Sequence, residues 1–98
     1  MIILFEIKYT IKESKREDYL NLLAKIKEYY KKDGVERYMA FEDEKKKNDF
    51  TEILLFASES DFEKFEDGAT EEINDMLSKL VSEMVEDKKI RYRTKKEV

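Results

Sequence analysis

Five charged side chains on candidate strands have the chemistry to hold or activate a ligand: Glu6, Lys8, Glu52, Arg91 and Arg93. A glutamate enclosed in a dry cavity has its pKa raised toward that of a general base, and Lys and Arg beside it would orient a polar group. Glu52 is therefore the candidate catalytic residue, and the expected ligand pocket comprises Glu52, Leu54, Phe56, Glu6, Lys8 and Arg91. Cross-strand ion pairing on a wet sheet or a dimer interface is the commoner role for such charges. Tyr9, Tyr19, Tyr30 and Tyr92 add phenols, but their periodic positions fit core packing with a polar tip. The chain has no cysteine and no histidine, which removes disulfides, thiolate catalysis, iron–sulfur clusters, the commonest general base and the commonest transition-metal ligand. With no phosphate-cradling glycine motif either, no haem, zinc or flavin is expected, and the expected cofactor is none.

Other charged runs point elsewhere than to sites. Glu42, Asp43, Glu44 and Glu71, Glu72, Asp75 lack the spaced glycine and ligand order of a calcium loop and read as solvated faces. The basic cluster Lys88, Lys89, Arg91, Arg93, Lys95, Lys96 raises nucleic-acid binding. Against it, the Phe50 to Phe56 segment carries neither the glycine nor the basic residue of an RNA-binding strand, and the net charge is −4. No nucleic-acid partner is expected. The short apolar start is interrupted by Glu6 and Lys8, so neither a signal peptide nor a membrane span is expected, and cytoplasm is the default location.

Elements that position these residues follow from periodicity. Ile3, Phe5, Ile7, Tyr9 and Ile11 alternate with Leu4, Glu6, Lys8 and Thr10, so the first strand has one core face and one charged face. Ser14 and Glu17 have capping-box spacing, and Tyr19, Leu22, Leu23, Ile26 and Tyr30 form the apolar stripe of a helix. Lys31 and Lys32 suit its negative end, and Gly34 is the expected terminator. Val35 to Glu42 and Phe50 to Ala57 read as an antiparallel hairpin with Lys45, Lys46 and Lys47 exposed at its tip. Ser58 with Asp61 starts a short helix that Gly68 interrupts, and Thr70 starts another with the stripe Ile73, Met76, Leu77, Leu80, Met84. Lys89 to Thr94 closes the pattern as a strand.

Strand, helix, strand, strand, helix, strand is the ferredoxin-like arrangement, an α+β fold with both helices on one face of a four-stranded antiparallel sheet. The 98 residues make one such domain, 1–98. With Ile53, Leu55 and Ala57 assigned to the helix side, Phe50, Glu52, Leu54 and Phe56 project from the open face beside Glu6, Lys8, Arg91 and Arg93. Periodicity leaves open which side of Val35 to Glu42 shares that face. A patch of Phe50, Leu54 and Phe56 needs cover, so a homodimer through the sheet face is expected.

The segment Phe50-Thr51-Glu52-Ile53-Leu54-Leu55-Phe56-Ala57-Ser58-Glu59-Ser60-Asp61-Phe62-Glu63-Lys64-Phe65 resembles the third strand and helix entry of the dimeric α+β-barrel superfamily, and within it the antibiotic-biosynthesis monooxygenase-like domains. The resemblance spans nearly the whole chain and rests on pattern and length. It implies two sheets paired into a barrel, with a ligand pocket between helices and sheet and Glu52 at a strand position where that family often carries glutamate. Many members have a histidine in the following helical segment; Glu66, Asp67 and Gly68 stand there instead, which disfavours the haem-degrading branch. The implied function is binding or cofactor-free oxidation of a small apolar or aromatic molecule. A non-catalytic ligand-binding or regulatory homodimer is the alternative. Amino-acid-sensing domains and acylphosphatases share the element order, but both use glycine where Lys12, Glu13, Ser14 and Lys15 stand.

Overall fold

The computed structural model describes residues 1–32 and 35–98. Its elements are β1 (Ile3–Thr10), α1 (Arg16–Lys32), β2 (Arg37–Glu42), β3 (Asp49–Phe56), α2 (Glu59–Asp67), α3 (Glu71–Lys79) and β4 (Arg91–Lys96). The strands pair antiparallel in the order β2-β3-β1-β4, the ferredoxin-like topology. Gly34, the expected end of the first helix, lies outside the described residues.

Local signals mostly act as their chemistry dictates. The Ser58 hydroxyl accepts from Asp61 N at 3.1 Å and the Thr70 hydroxyl from Ile73 N at 3.4 Å, each satisfying an orphan amide of a helix start. Gly68 is the C-cap of α2, and the position favours glycine because a Cβ there would lie 2.8 Å from the Lys64 carbonyl oxygen. Ser14 behaves differently from its capping-box reading. It sits inside a 3-10 turn, Glu13–Lys15, opened by the Lys12 carbonyl, and that turn runs directly into α1 at Arg16. The amide of Lys12 donates to Met84 O at 2.8 Å, so the chain is held at this entry from below rather than by a hydroxyl cap. After α3 the backbone widens into a π-helical turn, Leu80–Met84, closed by Val85 N on Leu80 O at 3.0 Å.

The helix-facing side of β1 is the expected one, with Ile3, Ile7 and Tyr9 buried, and Ile11 just beyond the strand is buried as well. The assignment of β3 is reversed from expectation. Register pairs Phe56 with Ile3, Leu54 with Phe5, Glu52 with Ile7 and Phe50 with Tyr9, and directly paired residues share a face. Phe50, Glu52, Leu54 and Phe56 thus point into the helix layer and are buried, while Thr51, Ile53 and Leu55 lie on the open face half-buried. Both alternations of this strand are apolar, and a charge at position 52 pulls a pattern-based reading outward. The structure keeps it inward because partners on both flanking strands satisfy it. Register also settles β2: Tyr38 pairs with Leu54, so Tyr38, Ala40 and Glu42 face the helices and Arg37, Met39 and Phe41 the open side.

The core is dominated by rings. Phe56 packs on Phe62 and Phe65 with centroids at 5.2 and 4.9 Å, and Phe5 lies 5.6 Å from Phe62. Each such pair adds about 0.5–1.5 kcal/mol beyond its buried area.

One tie fastens α1 to the hairpin. Arg16 grips the Glu42 carboxylate through both terminal nitrogens, at 2.5 and 2.9 Å, and also donates to Asn48 Oδ1 at 2.8 Å. Asn48 holds a left-handed φ of 69° and donates its amide to Glu42 at 2.8 Å. These bonds favour the carboxylate and hold the Glu42 pKa down at about 2. A depressed carboxylate stabilises the native state above its ordinary value near 4.5, and that contribution is lost as pH falls through about 2. Glu42→Gln should therefore lower the melting temperature at neutral pH and leave a shallower acid-induced decline, readable in thermal melts across that window. An unchanged pH profile would show the tie to be energetically idle.

Candidate active site

Glu52 sits on β3, an inner strand, with Ile7 and Ala40 directly opposite on the flanking strands. Neither neighbour can hydrogen-bond through its side chain. The residues one pair away are Tyr9 on β1 and Tyr38 on β2, and diagonal partners of this kind are within reach of long aromatic side chains. Tyr9 donates its hydroxyl to Glu52 Oε2 at 2.8 Å and Tyr38 donates to Oε1 at 2.5 Å. Because Tyr9 spends its proton on Glu52, the hydroxyl of Tyr19 from α1 donates to Tyr9, at 2.7 Å. Three strands and a helix thus converge on a carboxylate that is 1% exposed.

The electrostatics follow from burial. Loss of solvent raises the Glu52 pKa, while the two phenolic hydrogen bonds pull it back down. Among the described residues no Lys or Arg forms a salt bridge with it. Burial and the Glu52 charge push the phenols of Tyr9 and Tyr38 far above ordinary tyrosine, so both remain donors. Burial also raises Tyr92, with Glu52 adding to it.

Beside Glu52 opens a cavity of about 160 Å³ between the sheet and the helices. Phe5, Tyr30, Phe65 and Tyr92 supply aromatic wall, and Ile73, Leu77, Leu80, Val81 and Ile90 most of the aliphatic wall. Glu66 is at the exposed end, next to the break between α2 and α3. The π-helical turn contributes Leu80 and Val81, so its irregularity lies against the cavity. An apolar cavity of about 150 Å³ is enough for one benzene ring, so the space suits a single ring rather than a fused system. Its chemistry is that of an apolar slot with one deep acid–base group. Among the described residues no cluster of side chains could hold a metal ion.

The structure divides the expected pocket between two faces. Glu52, Leu54 and Phe56 are on the helix side, where Glu52 lines the cavity and Leu54 and Phe56 pack into the core. Glu6, Lys8 and Arg91 are on the open side: Glu6 meets Lys8 at 3.3 Å and Lys95 at 3.6 Å, and Arg91 is paired with Lys8 across the strands. These charges do not reach Glu52. Sequence reasoning missed Tyr9 and Tyr38 as its partners. The available signal was a lone carboxylate in the otherwise apolar stripe Phe50, Leu54, Phe56, a position that a strand buries only with donors at hand.

No family model matches the chain, and no curated protein matches its sequence. Solved structures do share its fold. A conserved protein from Methanosarcina mazei Go1 superposes with a TM-score of 0.82 at 18% identity, over 100% of this chain and 94% of that one. A structure described as an antibiotic biosynthesis monooxygenase gives 0.80 at 16% identity, over 100% and 99%. SnoaB from Streptomyces nogalater, a cofactor-independent oxygenase solved as a mutant, gives 0.79 at 11% identity, over 98% and 92%. At these identities the likeness is one of fold. The chain has the ferredoxin-like fold of antibiotic-biosynthesis monooxygenase-like proteins, as its third strand and helix entry lead one to expect. No helix among the described residues is long and apolar enough to cross a membrane.

Proposed function

We propose that the protein binds a small, largely apolar or aromatic molecule between sheet and helices, with Glu52 as its polar anchor, and oxidises it without a cofactor. The observation that carries this reading is the ring-sized cavity ending on a buried carboxylate. A phenol seated there would give its proton to Glu52, whose raised pKa narrows the gap to the phenol. The resulting phenolate supplies the electrons: one atom of dioxygen becomes the second carbonyl of a quinone and the other leaves as water. The aromatic and aliphatic walls would exclude water from the activated ring. Membership of the fold shared with a cofactor-independent oxygenase agrees with this chemistry by analogy.

A non-catalytic binding protein is favoured by one feature, the tyrosine bond on each Glu52 oxygen, which makes the carboxylate a weaker base. An oxygen electrode separates the two. With monocyclic phenols unsubstituted opposite the hydroxyl, the oxygenase consumes dissolved oxygen and releases a quinone, and Glu52→Gln lowers the rate by about a hundredfold or more. Thermal stabilisation by the same compounds with no oxygen uptake would establish binding alone. The reading further takes the chain as one domain acting as a homodimer, its open sheet face covered by a second copy. Leu4, Met39, Phe41, Ile53 and Leu55 supply the apolar part of that face, with Phe41 51% exposed.

A further inference from the structure

We propose that the cavity selects a small organic cation, a single-ring amine whose ammonium pairs with the Glu52 carboxylate. The proposal rests on the cavity being a binding site, and does not require turnover. Its basis is the charge inventory of the lining. Two carboxylates, Glu52 at depth and Glu66 at the exposed end, are accompanied by no lysine or arginine among the described residues. Four aromatic rings, those of Phe5, Tyr30, Phe65 and Tyr92, form much of the remaining wall, and Tyr92 stacks on Phe5 at 5.8 Å with the planes 10° apart.

A ligand with no donor to offer leaves the Glu52 carboxylate with only its two phenols, whereas a ligand that donates to it adds a partner. A carboxylic acid or phosphate ester would bring a like charge close to Glu52 and meet no cationic side chain among the described lining residues. An ammonium compensates the buried charge, and ring faces attract cations through their quadrupoles, most strongly where water is excluded. The two tyrosine donors leave unshared lone pairs on both Glu52 oxygens, since a carboxylate accepts about four hydrogen bonds. Glu66, exposed and unburdened by burial, would draw the cation toward the opening.

Calorimetric titration with three isosteric probes at neutral pH tests the charge preference: benzylamine, benzyl alcohol and benzoate. Benzylamine should bind at least about tenfold more tightly than benzyl alcohol, with benzoate the weakest. Glu52→Gln should erase the advantage of the amine while leaving benzyl alcohol bound, and Glu66→Gln should reduce it less. Val81→Phe, which fills the cavity from its partly exposed wall, should weaken all binding and serves if Glu52→Gln does not fold. Benzyl alcohol matching or exceeding benzylamine would overturn the cation preference and leave the cavity as a neutral site. Failure of all three probes to bind would overturn the preference together with the binding reading. An amine advantage that survives Glu52→Gln, or benzylamine binding unaffected by Val81→Phe, would place the attraction on the acidic surface and also overturn the proposal.

Discussion

Glu52→Gln melts above the wild type near neutral pH, and the difference closes as pH falls toward about 4.5. Burial raises the Glu52 pKa, so the native state holds this proton more tightly than the unfolded chain does. The stability that protonation contributes is present below the ordinary value near 4.5 and is lost as pH climbs through the raised one. Glutamine never ionises and escapes that loss. Its carbonyl can take the Tyr9 hydroxyl, and its amide can face Tyr38, which is only half-buried and can turn its own proton to water. Each kcal/mol recovered raises the melting temperature of a chain this size by about 4–8 °C. The same substitution should lower oxygen uptake by about a hundredfold or more, or erase the amine preference. Gain of stability with loss of function is the signature of a group retained for its chemistry. Thermal melts of both proteins from acid to mildly alkaline pH read the sign directly. A variant that melts below the wild type at neutral pH would mean that the tyrosine bonds outweigh the desolvation and that Glu52 is a structural node.

Much of the fold is legible because its signals are local. Ser58 and Thr70 announce helix starts through hydroxyls that need only a backbone amide three residues on, and the two-residue period of β1 separates its faces without knowledge of any other strand. The site is less legible because it is assembled across strands. The partners of Glu52 come from positions 43 residues earlier and 14 residues earlier, and their approach depends on register, which no single-strand period contains. The orientation of β3 failed for the same reason: with Leu54 and Leu55 adjacent and both alternations apolar, the deciding information is which face Tyr9 and Tyr38 occupy. Ser14 failed locally, where a 3-10 turn begun by Lys12 claimed the position first.

Leu54 and Leu55 consequently give opposite outcomes when each is changed to aspartate. Leu54 is fully buried among the helix-facing side chains, so Leu54→Asp removes core packing and strands a charge without a partner. The cavity part alone costs about 2–5 kcal/mol, the uncompensated charge adds to it, and small domains hold about 5–15 kcal/mol in all. Loss of cooperative unfolding, not separation into folded subunits, is the expected result. Leu55 lies on the open face, half-buried, paired across the strands with Leu4 and Arg37. Leu55→Asp places its charge where water or Arg37 can accommodate it, so the fold should survive. In a homodimer built on this face the same charge would sit inside the interface opposite its own copy, and like charges brought together there cost several kcal/mol. Light scattering should then find twice the 11.9 kDa chain mass for the wild type and the single-chain mass for Leu55→Asp, with circular dichroism unchanged. A folded Leu54→Asp would mean that β3 presents its other face to the helices. A wild type that scatters as a monomer at micromolar concentration, or a Leu55→Asp variant that stays dimeric, would remove the open face from the assembly and leave Leu4, Met39, Phe41, Ile53 and Leu55 as an uncovered patch on a single chain.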